Sequence, residues 1–280
     1  VARRTRCPWV ASLGRADGPT ARWRAALGGD GRARADRVLV PSRDLADRLD
    51  AAGEVAAARL RVVPPAIDHA RFDPAAVEPS RRDRLRRLWD VATDRPVVLL
   101  PGGLVPAGGH LELLRALKRL GRDDVLAILE AACDSDGAYR RQIELFVRTA
   151  GMEGQMTIVD TVEDRPAAFA LARVVARPAT AEPPAFDPSV VEAQAMGTPV
   201  IVHALGGLPE TLMPAATGWL VDVGDTDGLA EALGLALAMP DEVRARTAER
   251  ARDFVMTHFG AERAAEATVD VYGELLETEG

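Results

Sequence analysis

Lysine is almost missing from this chain: Lys118 is the only one among 35 basic residues, and the rest are arginine. Any task that wants a lysine outside that position must be done by another side chain. Cysteine is nearly as scarce. Cys7 and Cys133 lie far apart with no metal-type spacing. A disulfide framework and a zinc site are therefore not expected, and both read as unpaired cytosolic thiols. No apolar run approaches the ~20 residues that span a bilayer. No signal peptide is visible. Positive charge is not in excess either; the net charge is −7, so nucleic acid is not the expected partner. The four histidines, His69, His110, His203 and His258, are scattered without metal spacing. Internal repeats and low-complexity tracts are absent. The expected location is the cytoplasm, either free or peripheral at the membrane. The chain begins at Val1 rather than methionine, and a fragment, a processed chain and an alternative start codon all stay open as readings.

What is present is an ordinary soluble composition, 48% hydrophobic and 28% charged over 280 residues, enough for one large or two medium domains. From about residue 96, short apolar runs alternate with helical patterns. PVVLL, VLAIL, MTIV, VVA, PVIV and TGWLVDV read as strands. HLELLRALKRL, YRRQIELFVRTAG, SVVEAQAMG and three amphipathic segments at the end read as helices. Continuous apolar strands alternating with helices predict a doubly wound parallel sheet, with ligands at the carboxyl ends of the strands. Before that, ADRVLVPS and RLRVVPPAID flank the helix RDLADRLDAAG, a single α/β repeat too small to close its own core. The proline-rich stretch 64–80 reads as a linker.

Three stretches offer chemistry. PGGLVPAGGH, 101–110, follows a strand and opens a helix. Glycines there let a backbone approach a phosphate, and free amides attract an anion; a plain strand-to-helix turn explains them equally well, and the spacing is not the dinucleotide fingerprint. His110 stands out among the histidines because it begins that helix. Glu192, one turn into the helix after Pro188, could hold ribose hydroxyls, although locally it reads as a carboxylate facing the helix dipole. LGGLPETL, 205–212, is a helix start with Glu210 in the first turn. Cys133 has no identifiable base beside it, which argues against a nucleophile.

Taken together, ADRVLVPSRDLADRL with RLRVVPPAIDHARFDP, PVVLLPGGLVPAGGHLELLRAL, and EPPAFDPSVVEAQAMGTPVIVHALGGLPETL with TGWLVDVGD resemble the group 1 (family 4) glycosyltransferases of the GT-B fold. The resemblance implies residues 1–75 as the remnant of an N-terminal acceptor-side domain plus linker, 76–260 as a Rossmann-like C-terminal nucleotide-sugar-binding domain, and 261–280 as a C-terminal helix. It implies a nucleotide-sugar donor, no cofactor, no metal, and transfer with retention in the cleft between domains. It carries nucleotide binding onto Gly102, Gly103, Gly108, Val162 and Glu192, and the donor-sugar position onto Pro184 and Phe186. No catalytic residue can be assigned.

The departures fall on these positions. The family's loop arginine and lysine match Gly103 and Gly108. Lys118 cannot substitute, since ten residues of helix put it ~15 Å away. The first of two family glutamates matches Pro184, with Glu182 two positions off, and a family glycine matches Asp187. Strand-ending glycines appear as Glu130 and Asp160. Asp187-Pro188-Ser189 reads as an N-cap with proline at the first helical position, good helix chemistry and poor anion-site chemistry. Losing three charge-assisted contacts at ~1.5–3 kcal/mol each removes roughly 4–9 kcal/mol from donor binding, about a thousandfold to a millionfold. Arg177, near a strand end, would offset part of this loss if it reached the site, but a surface arginine is the commoner outcome and the one it reads as. The expectation is a glycosyltransferase-like protein with a weak or lost donor site, or a silent GT-B-like binding protein. The small first domain predicts exposed apolar surface and association as a homodimer or with a partner chain. Restoring Gly103→Arg, Gly108→Lys, Pro184→Glu and Asp187→Gly is the expected route to donor binding.

Overall fold

A computed structural model of the chain describes residues 10–13, 35–132, 137–181 and 184–277. Cys7, Cys133 and Glu182 lie outside them. The first described elements are β1 (Val10–Ser12), β2 (Arg37–Val40), α1 (Arg43–Ala51) and β3 (Leu60–Val62). The strands form a parallel sheet in the order β1-β2-β3. Helix α1 starts where Ser42 accepts a hydrogen bond from the Leu45 amide at 3.2 Å, and it lays Leu45 and Leu49 on Val38, Val40 and Leu60.

The second sheet is larger. Its elements are α2 (Pro79–Leu88), β4 (Val97–Leu100), α3 (His110–Leu120), β5 (Leu126–Glu130), α4 (Ala138–Thr149), β6 (Met156–Val159), α5 (Arg165–Leu171), β7 (Val174–Arg177), α6 (Pro188–Ala195), β8 (Val200–His203), β9 (Gly218–Val221), α7 (Thr226–Ala238), α8 (Asp241–Phe259) and α9 (Ala261–Glu277). Six parallel strands run in the order β6-β5-β4-β7-β8-β9. Both faces are covered. Val97 and Leu99 point into a core with α2, α5, α6 and α8, whereas Val98 and Leu100 point into one with α3, α4 and α7. This is why the strands read as unbroken apolar runs.

The doubly wound expectation therefore holds, and the connection order reverses between β4 and β7. Ligand crevices in such sheets open outside the carboxyl ends of the strands at that reversal. Here those ends are Pro101-Gly102 after β4 and Arg177 at the end of β7.

Two helices were not foreseen, α2 and α5. Helix α5 is short and alanine-rich, and five of its seven residues are buried, so it shows no amphipathic stripe. Its start is nonetheless written in Asp164-Arg165-Pro166, an aspartate N-cap with an early proline, the pattern recognised at Asp187-Pro188. The proline-rich stretch after β3 is packed rather than loose. Ile67, Phe72 and Val77 are buried in the large core, and the Ile67 amide donates to the Phe259 carbonyl at 3.0 Å. Helix α9 returns to the small sheet, where Glu274 meets Arg61 at 2.6 Å and Arg37 at 3.3 Å.

Candidate functional site

The glycine loop after β4 is built for close backbone approach. Gly102 has φ +114°, and Gly109 has φ +80° with the Pro178 carbonyl oxygen 1.7 Å from where a β-carbon would sit. No other residue fits at Gly109. What faces the loop, however, is protein. The Gly102 amide donates to Glu130 Oε2 at 2.8 Å, and the Val162 amide donates to Glu130 Oε1 at 2.9 Å. Glu130, at the end of β5, is 2% exposed. One buried carboxylate thus consumes two amides at the carboxyl end of the sheet.

Arg165, the first residue of α5, extends the network. Its Nη1 lies 3.4 Å from Glu130 Oε2, while Nη2 and Nε donate to Glu192 Oε2 at 2.7 and 3.0 Å. The guanidinium carbon sits 5.1 Å over the Phe169 ring, a placement that adds cation–π attraction. Burial pushes the Glu192 carboxyl up, the charge of Asp187 pushes the same way, and Arg165 opposes both; the outcome is a pKa above the ordinary glutamate value.

A second pair closes the other side. Arg177 donates from Nε to Asp187 Oδ2 at 2.5 Å and from Nη1 to the Pro101 carbonyl at 3.2 Å. The reading of Arg177 as a surface residue is corrected: its side chain is 16% exposed and lies beside Gly102, 3.6 Å from the place of a β-carbon there. Asp187 also accepts from the Ser189 amide at 2.9 Å and the Ser189 hydroxyl at 2.5 Å, capping α6 as read from sequence. Burial alone would raise the Asp187 carboxyl, but Arg177 and Ser189 outweigh it and hold the group below its ordinary value. Three carboxylates thus meet two guanidiniums in this hydrogen-bonded network, with the charge of Arg71 also acting on Glu192.

The structure brings Gly102, Val162 and Glu192 into one network through Glu130 and Arg165. Gly103 is on the loop, its carbonyl accepting the Val105 amide at 2.9 Å. Gly108 is turned inward, and a β-carbon there would lie 2.6 Å from His110 Cε1. His110 is fully buried and edge-on to Tyr139, with centroids 5.7 Å apart. Burial first, and the charge of Arg177 second, lower its pKa to about 4, so it is neutral near pH 7. It fills the space beneath the loop, and Gly108→Lys has no room unless His110 moves. The Pro184 carbonyl accepts the Gly207 amide at 2.8 Å. Phe186 packs against Phe259, centroids 5.7 Å apart, and borders a cavity of about 340 Å³ at the junction of the two sheets. The LGGLPETL stretch does start a short 3-10 helix, Leu208–Thr211, with Glu210 in its first turn; the Glu210 carboxylate also accepts the Arg43 and Asp44 amides, both at 2.9 Å, and so caps α1 of the small sheet.

Sequence reasoning missed Arg165 and underread Glu130 and Arg177. Glu130 had a signal: a carboxylate ending an otherwise apolar strand, where burial demands partners. Among the described residues no group of three His, Cys, Asp or Glu side chains could hold a metal, and no helix is long and apolar enough to cross a membrane.

The family model described as "Glycosyl transferases group 1" matches residues 81–254. A D-inositol 3-phosphate glycosyltransferase of Xylanimonas cellulosilytica is 34% identical over 77% of this chain and 51% of its own length. A GDP-mannose-dependent alpha-(1-6)-phosphatidylinositol monomannoside mannosyltransferase of Mycolicibacterium smegmatis is 34% identical over 74% of this chain and 54% of its own. The chain spans about half the length of these curated relatives. Among solved structures, Anabaena HepE in complex with UDP and glucose superposes with a TM-score of 0.80 at 24% identity, over 96% of this chain and 71% of its own. A Rickettsia africae glycosyltransferase gives 0.84 at 19% identity, over 95% and 70%. Both share the parallel-sheet architecture described above. With the family match covering more than half of its residues, this chain belongs to the group 1 glycosyltransferases of the GT-B fold.

Proposed function

We propose that this chain carries the nucleotide-sugar side of a retaining hexosyltransferase-type protein whose donor contacts have been exchanged for internal ion pairs, leaving transfer weak or absent. The observation that carries this reading is Arg177 held by Asp187 at the mouth of the glycine loop. A donor diphosphate needs cations and free amides. The loop offers no side chain at Gly103 or Gly108, the Gly102 and Val162 amides go to Glu130, and the Arg177 guanidinium beside the loop is paired with Asp187. Glu192 keeps the position of a ribose-binding carboxylate but is engaged by Arg165. Pro184 supplies no carboxylate to a donor sugar, and Phe186 packs inward. The nucleoside end is therefore the part that retains affinity.

Calorimetric titration with UDP, GDP, UDP-glucose and GDP-mannose tests this. Bare nucleotides should bind weakly, and their sugar conjugates should bind no tighter. A conjugate binding tenfold more tightly than its nucleotide overturns the reading.

A second reading, a catalytically silent protein that acts through a partner, is favoured by α9. Val269, Tyr272 and Leu276 are 67%, 50% and 70% exposed at helical spacing, an apolar stripe of the kind that favours association. Sedimentation should then find a homodimer or a partner complex that Val269→Glu with Leu276→Glu dissolves. A monomer at high concentration contradicts it.

A further inference from the structure

The opposite pole of the large sheet has the reverse charge balance. At the amino ends of β4, β5 and β7 lies a cavity of about 470 Å³ lined by Arg86, Arg95, Arg122, Arg173 and Arg244. Only two carboxylates, Asp94 and Asp124, share that lining. Asp124 is engaged by Arg122 at 2.5 Å, and Asp241, outside the lining, stands 3.5 Å from Arg173. Two guanidinium charges or more remain in excess, in a chain whose net charge is −7.

These arginines are half-buried and held in place. Arg244 donates to the Arg173 and Ala172 carbonyls at 2.7 and 3.1 Å. Arg95 donates to the Asp124 and Val125 carbonyls at 3.2 and 3.1 Å, and Arg86 to the Ala92 carbonyl at 2.9 Å. Part of their role is structural. A parallel α/β domain turns its helix C-termini toward this pole, and the carbonyls there attract cations. That role uses only some of the five N–H groups each guanidinium carries. It also does not require five guanidiniums around one opening. The crowding has a cost: burial, and then the charge of Arg173, lower the Arg244 pKa to about 10. An anion in the cavity would relieve it. The volume suits a small ligand, and fixed guanidinium forks match phosphate oxygens.

We propose that this cavity is a binding site for a compact polyphosphate anion, inorganic or nucleoside-linked, separate from the glycine-loop site. A strand length of about 13 Å lies between them, and the site stands whether or not the donor site is silent.

The test is calorimetric titration of the full chain with inorganic pyrophosphate and with ATP, at low and high salt. Pyrophosphate should bind, more weakly at high salt. Arg86→Gln with Arg122→Gln should weaken it at least tenfold, while Arg165→Gln, at the other pole, should leave it unchanged. Melting curves check that each variant is folded, and the two single substitutions replace the pair if it is not. ATP binding several-fold tighter than pyrophosphate, and weakened by the arginine pair but not by Arg165→Gln, identifies a nucleoside-linked ligand; equal or weaker ATP binding identifies an inorganic one. Failure of the wild-type chain to bind either anion at low salt overturns the proposal. So does a loss of binding that follows Arg165→Gln and not the arginine pair.

Discussion

The two ends of the large sheet use the same residue types in opposite proportions. At the carboxyl end, Glu130, Asp187 and Glu192 face Arg165 and Arg177. At the amino end, five arginines face two aspartates. Helix dipoles explain the direction of this difference. Helix N-termini gather at the carboxyl ends of parallel strands and attract carboxylates, while C-termini gather at the other end and attract guanidiniums. A donor site in such a fold works when the N-terminal end is left unsatisfied for a phosphate. Here it is satisfied from within. On the proposed reading, a phosphate site is closed by capping it from within, with the sheet that carries it left intact.

Breaking the carboxyl-end balance should have the largest effect. Arg177→Ala leaves the buried Asp187 without its cation, and should destabilise the chain by about 3–5 kcal/mol in urea unfolding. A loss below about 1 kcal/mol would mean that water or another group replaces the arginine, and that the pair is not closed.

Glu130→Gln comes next. A neutral amide can accept one of the two N–H groups that Glu130 now holds and repels the other with its own donors. The expected cost is about 1–3 kcal/mol, read in the same assay.

Much of this architecture was legible beforehand. The four central strands of the large sheet, β5, β4, β7 and β8, announced themselves as apolar runs because both their faces are buried, and Gly103 and Gly108 were plain as loop positions that carry no charged side chain. The compensation was not legible. Arg177 and Asp187 are ten residues apart across a turn, and only the fold sets them 2.5 Å apart. Arg165 sits on a helix whose burial erased its periodicity. Glu130 drew notice as a missing glycine, whereas its carboxylate is what joins Gly102 to Val162. Propensity and pattern report local choices; these contacts join β5, α5, β7 and α6.

Acid sharpens the comparison by a smaller effect. The Asp187 pKa lies below its ordinary 3.8, so its stabilisation is full above that value and is lost as pH falls through the lowered one. Glu192 has the opposite sign: raised above its ordinary 4.5, it favours the fold below that pH, and this is lost as pH rises through the raised value. Melting temperature against pH should therefore fall less on the acid side for Asp187→Asn than for the wild type. Glu192→Gln should gain most above the raised value.

The smallest effect belongs to the amino end. Arg122 and Asp124 are 36% and 56% exposed, so Arg122→Gln should change stability by no more than about 1 kcal/mol. A loss matching that of Arg177→Ala would erase the distinction between a closed pole and an open one.

The most direct measurement is a calorimetric titration of wild-type chain and Asp187→Asn with UDP and GDP. Asparagine caps a helix as well as aspartate does, so α6 should persist while the charge that holds Arg177 disappears. One regained charge-assisted contact predicts tighter binding of at least one nucleotide by about tenfold or more. A folded Asp187→Asn variant that binds both nucleotides no better than the wild type would contradict the account, because the cation at the loop would then not be what Asp187 withholds.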